Sequence, residues 1–264
     1  MLLDIARFVF TPCPGHVRAM GYLSEQIAIK NRFDRVKDAW KPHLDRTKKL
    51  ILDAARLCPQ RRKAVLFGSG MLLDIPLDKL CEMFQEVILV DVVHPPFKGF
   101  FHRNLTKVAW DVTGTAQAVY HVADHPNKEL PLSNPDRFCD DPEIDLVASV
   151  NLLSQLPYIP CTYMVARKNR PDPIITAFGK QLIQAHVEYL KRLPGVVALI
   201  CDLKRRTLDR NGKLLESLDA LYGVELPWKG EEWIWDLAPR PEASPEFSYQ
   251  RLVAGIANIK SLVW

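Results

Sequence analysis

Residues 64–91 read AVLFGSGMLLDIPLDKLCEMFQEVILVD. An apolar run, Ala64 to Phe67, stops at Gly68, Ser69 and Gly70; an apolar-periodic segment follows, and a second run, Val87 to Val90, ends in Asp91. In order this is a strand, a glycine turn, a helix and a strand. Parallel strands need a crossover, usually a helix, so the stretch predicts the opening of a βαβ unit. Ligands of such sheets bind beyond the carboxyl ends of the strands, where Gly68, Ser69, Gly70 and Asp91 all stand.

The rest of the chain extends this unit in both directions. Upstream, Met1 to Gly15 is an apolar lead, LLDIARFVF, broken by Thr11, Pro12, Cys13, Pro14 and Gly15, and it carries no decisive pattern. From His16 to Leu57 the apolar residues Ile27, Phe33, Val36, Trp40, Leu44, Leu50, Ile51, Ala54 and Leu57 keep helical spacing, which predicts two or three helices with a break at Pro42. Downstream, Val92 to Phe101 reads as a loop and Leu105 to Trp110 as strand three, ending in Asp111. Thr113 to His121 reads as a weak helix, His125 to Pro142 as a surface loop, and Ile144 to Val150 as strand four, ending in Asn151. Ala177 to Leu193 has helical spacing, and Val196 to Cys201 is a continuous apolar run ending in Asp202, as suits a strand buried on both faces. Leu214 to Tyr222 reads as a helix. Trp233 to Leu237 and Tyr249 to Ile259 read as two strands with no helix between them, which predicts an antiparallel pair at the end of the sheet.

Composition bounds the class. With 264 residues, 48% hydrophobic and 25% charged, the chain can bury a full globular core. Its 35 basic and 31 acidic residues are spread along the sequence, so the net charge of +4 does not point to polyanions; a small-molecule substrate is expected, and nucleic acid is not. Six scattered cysteines without a CxxC pair read as reduced structural thiols, no apolar run approaches the roughly 18 residues of a membrane span, and a cytoplasmic location is expected. The seven histidines form no HxxxH or HExxH, and neither metal-ligand spacing nor a Ser/His/Asp order can be picked out, so the catalytic residues stay unassigned.

Glycine admits a ligand close to the backbone and accepts positive φ, and Asp91 follows Gly70 by 21 residues, the separation at which a strand-two carboxylate can accept hydrogen bonds from ribose hydroxyls. With these signals the chain resembles the class I S-adenosylmethionine-dependent methyltransferases from Ala64 onward. The resemblance implies an α/β, three-layer Rossmann-like fold with a mostly parallel seven-stranded sheet and an antiparallel terminal strand. It divides the chain into an N-terminal helical preface or lid, 1–60, and a methyltransferase-like domain, 61–264. It implies S-adenosylmethionine as cofactor, with Gly68, Ser69 and Gly70 against its methionine part, Asp91 on the ribose and Asp111 toward the adenine. The usual acid two residues before the first glycine is Leu66 here, and the third glycine of the turn is Leu72; Asp74 could stand in for the missing acid or cap the next helix.

Candidates for the acceptor side are Asn151, where the family's substrate-facing loop begins, Tyr158, His94 beside the adenosine site, and Trp40 on the preface. Ser154, Gln155, Tyr163, His43 and the basic run Lys204, Arg205, Arg206 are further polar or aromatic groups near the strand ends. The leading expectation is methyl transfer to an acceptor. The alternatives are an NAD(P)-dependent oxidoreductase, which an all-parallel sheet would favour and for which Leu73 stands where a small residue is expected, and a catalytically silent scaffold relative, which a plugged pocket would favour.

Overall fold

The computed structural model describes residues 10–94 and 102–262. Residues 1–9 of the apolar lead and 95–101 of the loop expected after Asp91 lie outside them. Two helices open the described chain, α1 (Gly15–Met20) and α2 (Tyr22–Leu57), joined at Gly21 in the left-handed region. They are followed by β1 (Lys63–Phe67), α3 (Leu77–Met83), β2 (Glu86–Asp91), β3 (Leu105–Ala109), α4 (Ala116–Val122) and β4 (Ile144–Val150). Then come α5 (Tyr158–Arg167), α6 (Asp172–Arg192), β5 (Val196–Leu208), β6 (Leu214–Asp219), β7 (Glu231–Ala238) and β8 (Ser248–Ile256).

The strands form one sheet in the order β3-β2-β1-β4-β5-β8-β7, with β6 added to β5. Strands β1 to β5 are parallel, and β8 enters antiparallel between β5 and β7. The continuous apolarity of AVLF has a direct cause, since each face of β1 is covered. Ala64 and Leu66 pack with α2 residues such as Ile51 and Ala54, while Val65 and Phe67 pack with α6 residues such as Val187 and Leu190. This is a helix–sheet–helix sandwich, the three-layer α/β fold expected.

Three expectations about elements need correction. Pro42 does not end the helix: α2 runs through it, and the irregular backbone falls at Val36 (φ −127°, ψ 32°). Val36 stands six residues before Pro42 and two before Asp38, whose carbonyl the ring and the missing N–H act on, so the irregularity is not at the site the proline marks. Leu214–Asp219 is a strand, not a helix. It pairs antiparallel with the far half of β5, across a turn in which Asp209 Oδ1 accepts from the N–H groups of Asn211 (2.8 Å) and Lys213 (2.9 Å) and Gly212 takes φ +79°. The signal was the Asn-Gly in DRNGK, a hairpin turn. The glycine turn leads first into a loop and only at Leu77 into a seven-residue helix, so Asp74 is not in its first turn and does not cap it.

Candidate functional site

A cavity of about 540 Å³ lies beyond the carboxyl ends of β1, β2 and β4, bounded by α2 on one side and by the β5–β8–β7 extension on the other. Its volume is in the range of small-molecule and cofactor pockets. Met71 lines it but Leu72 is buried in the core, so the cavity is not plugged by the turn.

Gly68 sits at φ +74°, and a Cβ there would be 2.6 Å from the Val150 carbonyl oxygen. Its lack of a side chain is therefore what lets β1 and β4 close. Gly70, at φ +45°, is different: a Cβ would find open space, with Asp91 Oδ2 at 3.9 Å. Its N–H donates to that oxygen at 2.6 Å. Asp91 Oδ1 accepts from the Val92 N–H (2.8 Å) and from Gln26 Nε2 on α2 (3.1 Å), and Gln26 also reaches the Val93 carbonyl (3.0 Å). Burial raises the Asp91 pKa, and the donated hydrogen bonds, Gly70 first, pull it back. Asp111 lines the cavity too, but its carboxylate already closes a turn. Oδ1 accepts from the N–H (2.9 Å) and Oγ1 (2.7 Å) of Thr113, and Oδ2 from the Ala116 N–H at the start of α4 (2.8 Å).

Asn151, at φ +49° where β4 ends, joins four side chains into a chain of contacts. Its Nδ2 position lies 2.7 Å from Asp74 Oδ2 and 3.2 Å from His43 Nε2, and His43 Nδ1 accepts from Trp233 Nε1 at 3.0 Å. Indole nitrogen only donates, so Nδ1 carries no hydrogen and the neutral ring must carry it on Nε2. That N–H needs an acceptor, which the Asn151 amide supplies when its oxygen faces His43. The same oxygen then faces Asp74, and the contact is favourable when Asp74 is protonated. Burial acts in the same sense, raising the Asp74 pKa and holding His43 down at about 3. His43 stacks on Trp235 (4.1 Å, 6°), and Trp40 meets Trp235 edge-on (4.8 Å, 82°) while donating to the Leu237 carbonyl.

The structure thus brings Gly68, Ser69, Gly70, Asp91, Asp111, Asn151, Tyr158 and Trp40 to one cavity. His94 is not among its lining residues, and its Nε2 meets the Val108 carbonyl at 3.0 Å. Tyr163 is buried in a separate cluster with Met164 and Phe178. Sequence reading passed over Gln26 and Arg251. Gln26 left no signal, being one polar residue on a polar helix face. Arg251 had one: a cation on a strand whose neighbours Val253 and Ala254 are buried. Among the described residues no helix is long and apolar enough to cross a membrane.

Strand order and the antiparallel β8 give the Rossmann-like, mostly parallel α/β fold that the resemblance to the class I methyltransferases implied. No protein-family model matches the chain, and no curated protein matches it in sequence. Among solved structures it is similar to the crystal structure of the 23S rRNA methyltransferase ErmE, at 12% identity over 78% of this chain and 68% of that one, with a TM-score of 0.28. That neighbour is by name an rRNA methyltransferase, which stands against the expectation that nucleic acid is not a partner. A net charge is a sum over the chain, whereas the fold gathers Arg32, Arg205 and Arg251 around one cavity, a local concentration that a total of +4 does not display.

Proposed function

We propose that the cavity binds S-adenosylmethionine and that the protein is a methyltransferase. The observation that carries this reading is Asp91, a carboxylate ending β2, hydrogen-bonded to the N–H of Gly70 in the turn after β1, at the mouth of an open cavity. The residues present fit the cofactor. Asp91 would hold the ribose hydroxyls, since a carboxylate accepts about four hydrogen bonds and three are taken here, by the Gly70 and Val92 N–H groups and by Gln26. Gly70 leaves the approach open. Asp111 keeps one Oδ2 lone pair for the adenine amino group. Leu66 could not meet the cofactor's ammonium; Asp74 with Asn151, which line the same cavity, would hold it, and the added cation would favour the ionised form of Asp74. The cofactor supplies an electrophilic methyl carbon on a sulfonium, whose in-line displacement depends chiefly on positioning. The protein contributes orientation through Asp91 and Asp74 and a dry aromatic wall through Trp40, His43 and Trp235.

Two features favour this reading over the alternatives. The antiparallel β8 weighs against a nicotinamide-dependent oxidoreductase, and the open cavity weighs against a silent scaffold. Calorimetry with S-adenosylhomocysteine is expected to show saturable binding, and ligand at a hundred times its Kd should add about 2.7 kcal/mol of stability. Asp91→Asn, which keeps the shape, should weaken binding by at least tenfold. No heat and no thermal shift at millimolar ligand would sink the reading, and a shift with NADPH alone would replace it with the oxidoreductase.

A further inference from the structure

Beyond Asp202, β5 continues as Lys204–Leu208 between β6 and β8. The register sets Arg205 opposite Arg251, and Arg251 opposite Trp235. Side chains directly opposite on neighbouring strands share a face, and all three line the cavity. Like charges so placed repel, and Arg32 of α2 adds a third cation to the lining.

Countercharge is scarce at this end. Asp202 Oδ2 lies 3.4 Å from Arg251 Nε, but the Arg205 side chain makes no ion pair or hydrogen bond among the described residues, only its backbone being paired in the sheet. Arg32 has Glu242 at 3.6 Å, a carboxylate that is already bound to Arg35 at 2.6 Å. The opposite need is present a few ångströms away. Asp202 is 7% exposed and is faced by the Ser154 hydroxyl, 2% exposed, but neither Asp202 Oδ1 nor Ser154 Oγ has a partner in full hydrogen-bond geometry. A buried carboxylate oxygen left unpaired is costly, and both groups line the cavity.

We infer that this end of the cavity is the seat of the methyl acceptor, and that the acceptor carries an oxyanion, carboxylate or phosphate, held between Arg205 and Arg251, next to an N–H or O–H that donates to Asp202 Oδ1. Arginine suits the first role, because its planar fork matches both oxyanions in two-point contact. Asp202 suits the second as a buried carboxylate whose facing donor, the Ser154 hydroxyl, leaves Oδ1 short of a well-placed hydrogen bond. The word acceptor rests on the methyltransferase reading; the oxyanion seat does not.

The test titrates the full-length protein with inorganic phosphate, succinate and a short single-stranded oligoribonucleotide, observing the arginine Nε–H resonances by NMR, with S-adenosylhomocysteine affinity measured in parallel. Phosphate or succinate is expected to shift the Arg205 and Arg251 signals saturably. Arg205→Gln should weaken this at least tenfold, Arg205→Lys should restore part of it, and S-adenosylhomocysteine affinity should stay within twofold in both. The tightest binder among the three probes identifies the source of the oxyanion, provided its binding shows the same dependence on Arg205. Unshifted arginine signals, or equal affinities in wild type and Arg205→Gln, would overturn the seat. Saturable phosphate binding with no response to S-adenosylhomocysteine would keep the seat and remove the cofactor reading.

Discussion

Lowering the pH from 7 to 5 is expected to cost the protein on the order of 2 kcal/mol of stability, and the cause is two imidazoles. His43 and His186 are 1% and 2% exposed, and burial lowers each pKa to about 3. In the unfolded chain both take a proton near pH 6.5, so below that value the unfolded state binds more protons and stability falls with pH. Each histidine contributes ~2 kcal/mol over the 1.5 units from its unfolded pKa down to pH 5. Asp202 acts in the opposite sense. Burial raises it to about 6, so the folded state gains a proton there before the unfolded state does, returning about 1 kcal/mol. Asp74 and Asp91, also raised by burial, act with Asp202. Urea midpoints at pH 7 and pH 5 measure the net effect. His186→Phe should remove its ~2 kcal/mol share and with it most of the drop, because His186 packs among Phe67 and Tyr189 with one hydrogen bond, from or to Ser149 Oγ. Equal midpoints at the two pH values would contradict the burial of both rings as neutral groups.

Gly68→Ala and Gly70→Ala, two residues apart, are expected to fail in different ways. At Gly68 the new methyl meets Val150 O at 2.6 Å and Leu152 Cβ at 3.0 Å, both part of the β4 end that β1 pairs against. Adding the left-handed cost of about 1–2 kcal/mol for an alanine to this enforced separation, destabilisation should be about 3 kcal/mol or more. At Gly70 nothing is closer than 3.8 Å, so only the backbone cost of about 1 kcal/mol remains. Its methyl, however, points toward Asp91 Oδ2, where the ribose would arrive. Gly70→Ala should therefore lose S-adenosylhomocysteine affinity by tenfold or more while its urea midpoint moves little. Similar midpoints for the two variants would show that the turn closes differently from the geometry described.

What could be read from the sequence was local. Apolar runs ending in Asp91 and Asn151 marked strand ends, and the glycine turn marked the edge where a cavity forms, because strand patterning and turn chemistry act over a few residues. The run ending in Asp202 marked only the buried first half of β5, which continues past it to Leu208. What could not be read was pairing across the chain. Gln26 reaches Asp91 over 65 positions and His43 reaches Trp233 over 190, and nothing in either neighbourhood announces the partner. The helix α5 was hidden by Pro157 and Pro160, which fall before and inside its first turn, where a missing N–H costs little. The strand β6 was misread because Leu214, Leu215 and Leu218 have helical spacing. Those leucines are 43%, 51% and 51% exposed, so their spacing reports no buried face at all.

The irregular backbone at Val36 divides the long helix into two halves. Residues after it, Trp40 to Ala55, are fixed in the core against β1, β4 and β7. Residues before it carry Glu25, Gln26 and Arg32 to the cavity and are held by a small cluster of Val17, Leu23 and Val93, by the two hydrogen bonds of Gln26, by the pairing of Arg35 with Glu242, and by Ile29 and Phe33, which pack against the main core. Both halves of the helix thus serve cavity and core at once: Trp40, His43 and Leu44 line the cavity from the fixed half, and Ile29 and Phe33 tie the other half to the core. A ligand seated against this helix would brace the same element that roofs β1, so that filling the cavity and stiffening the domain are one event.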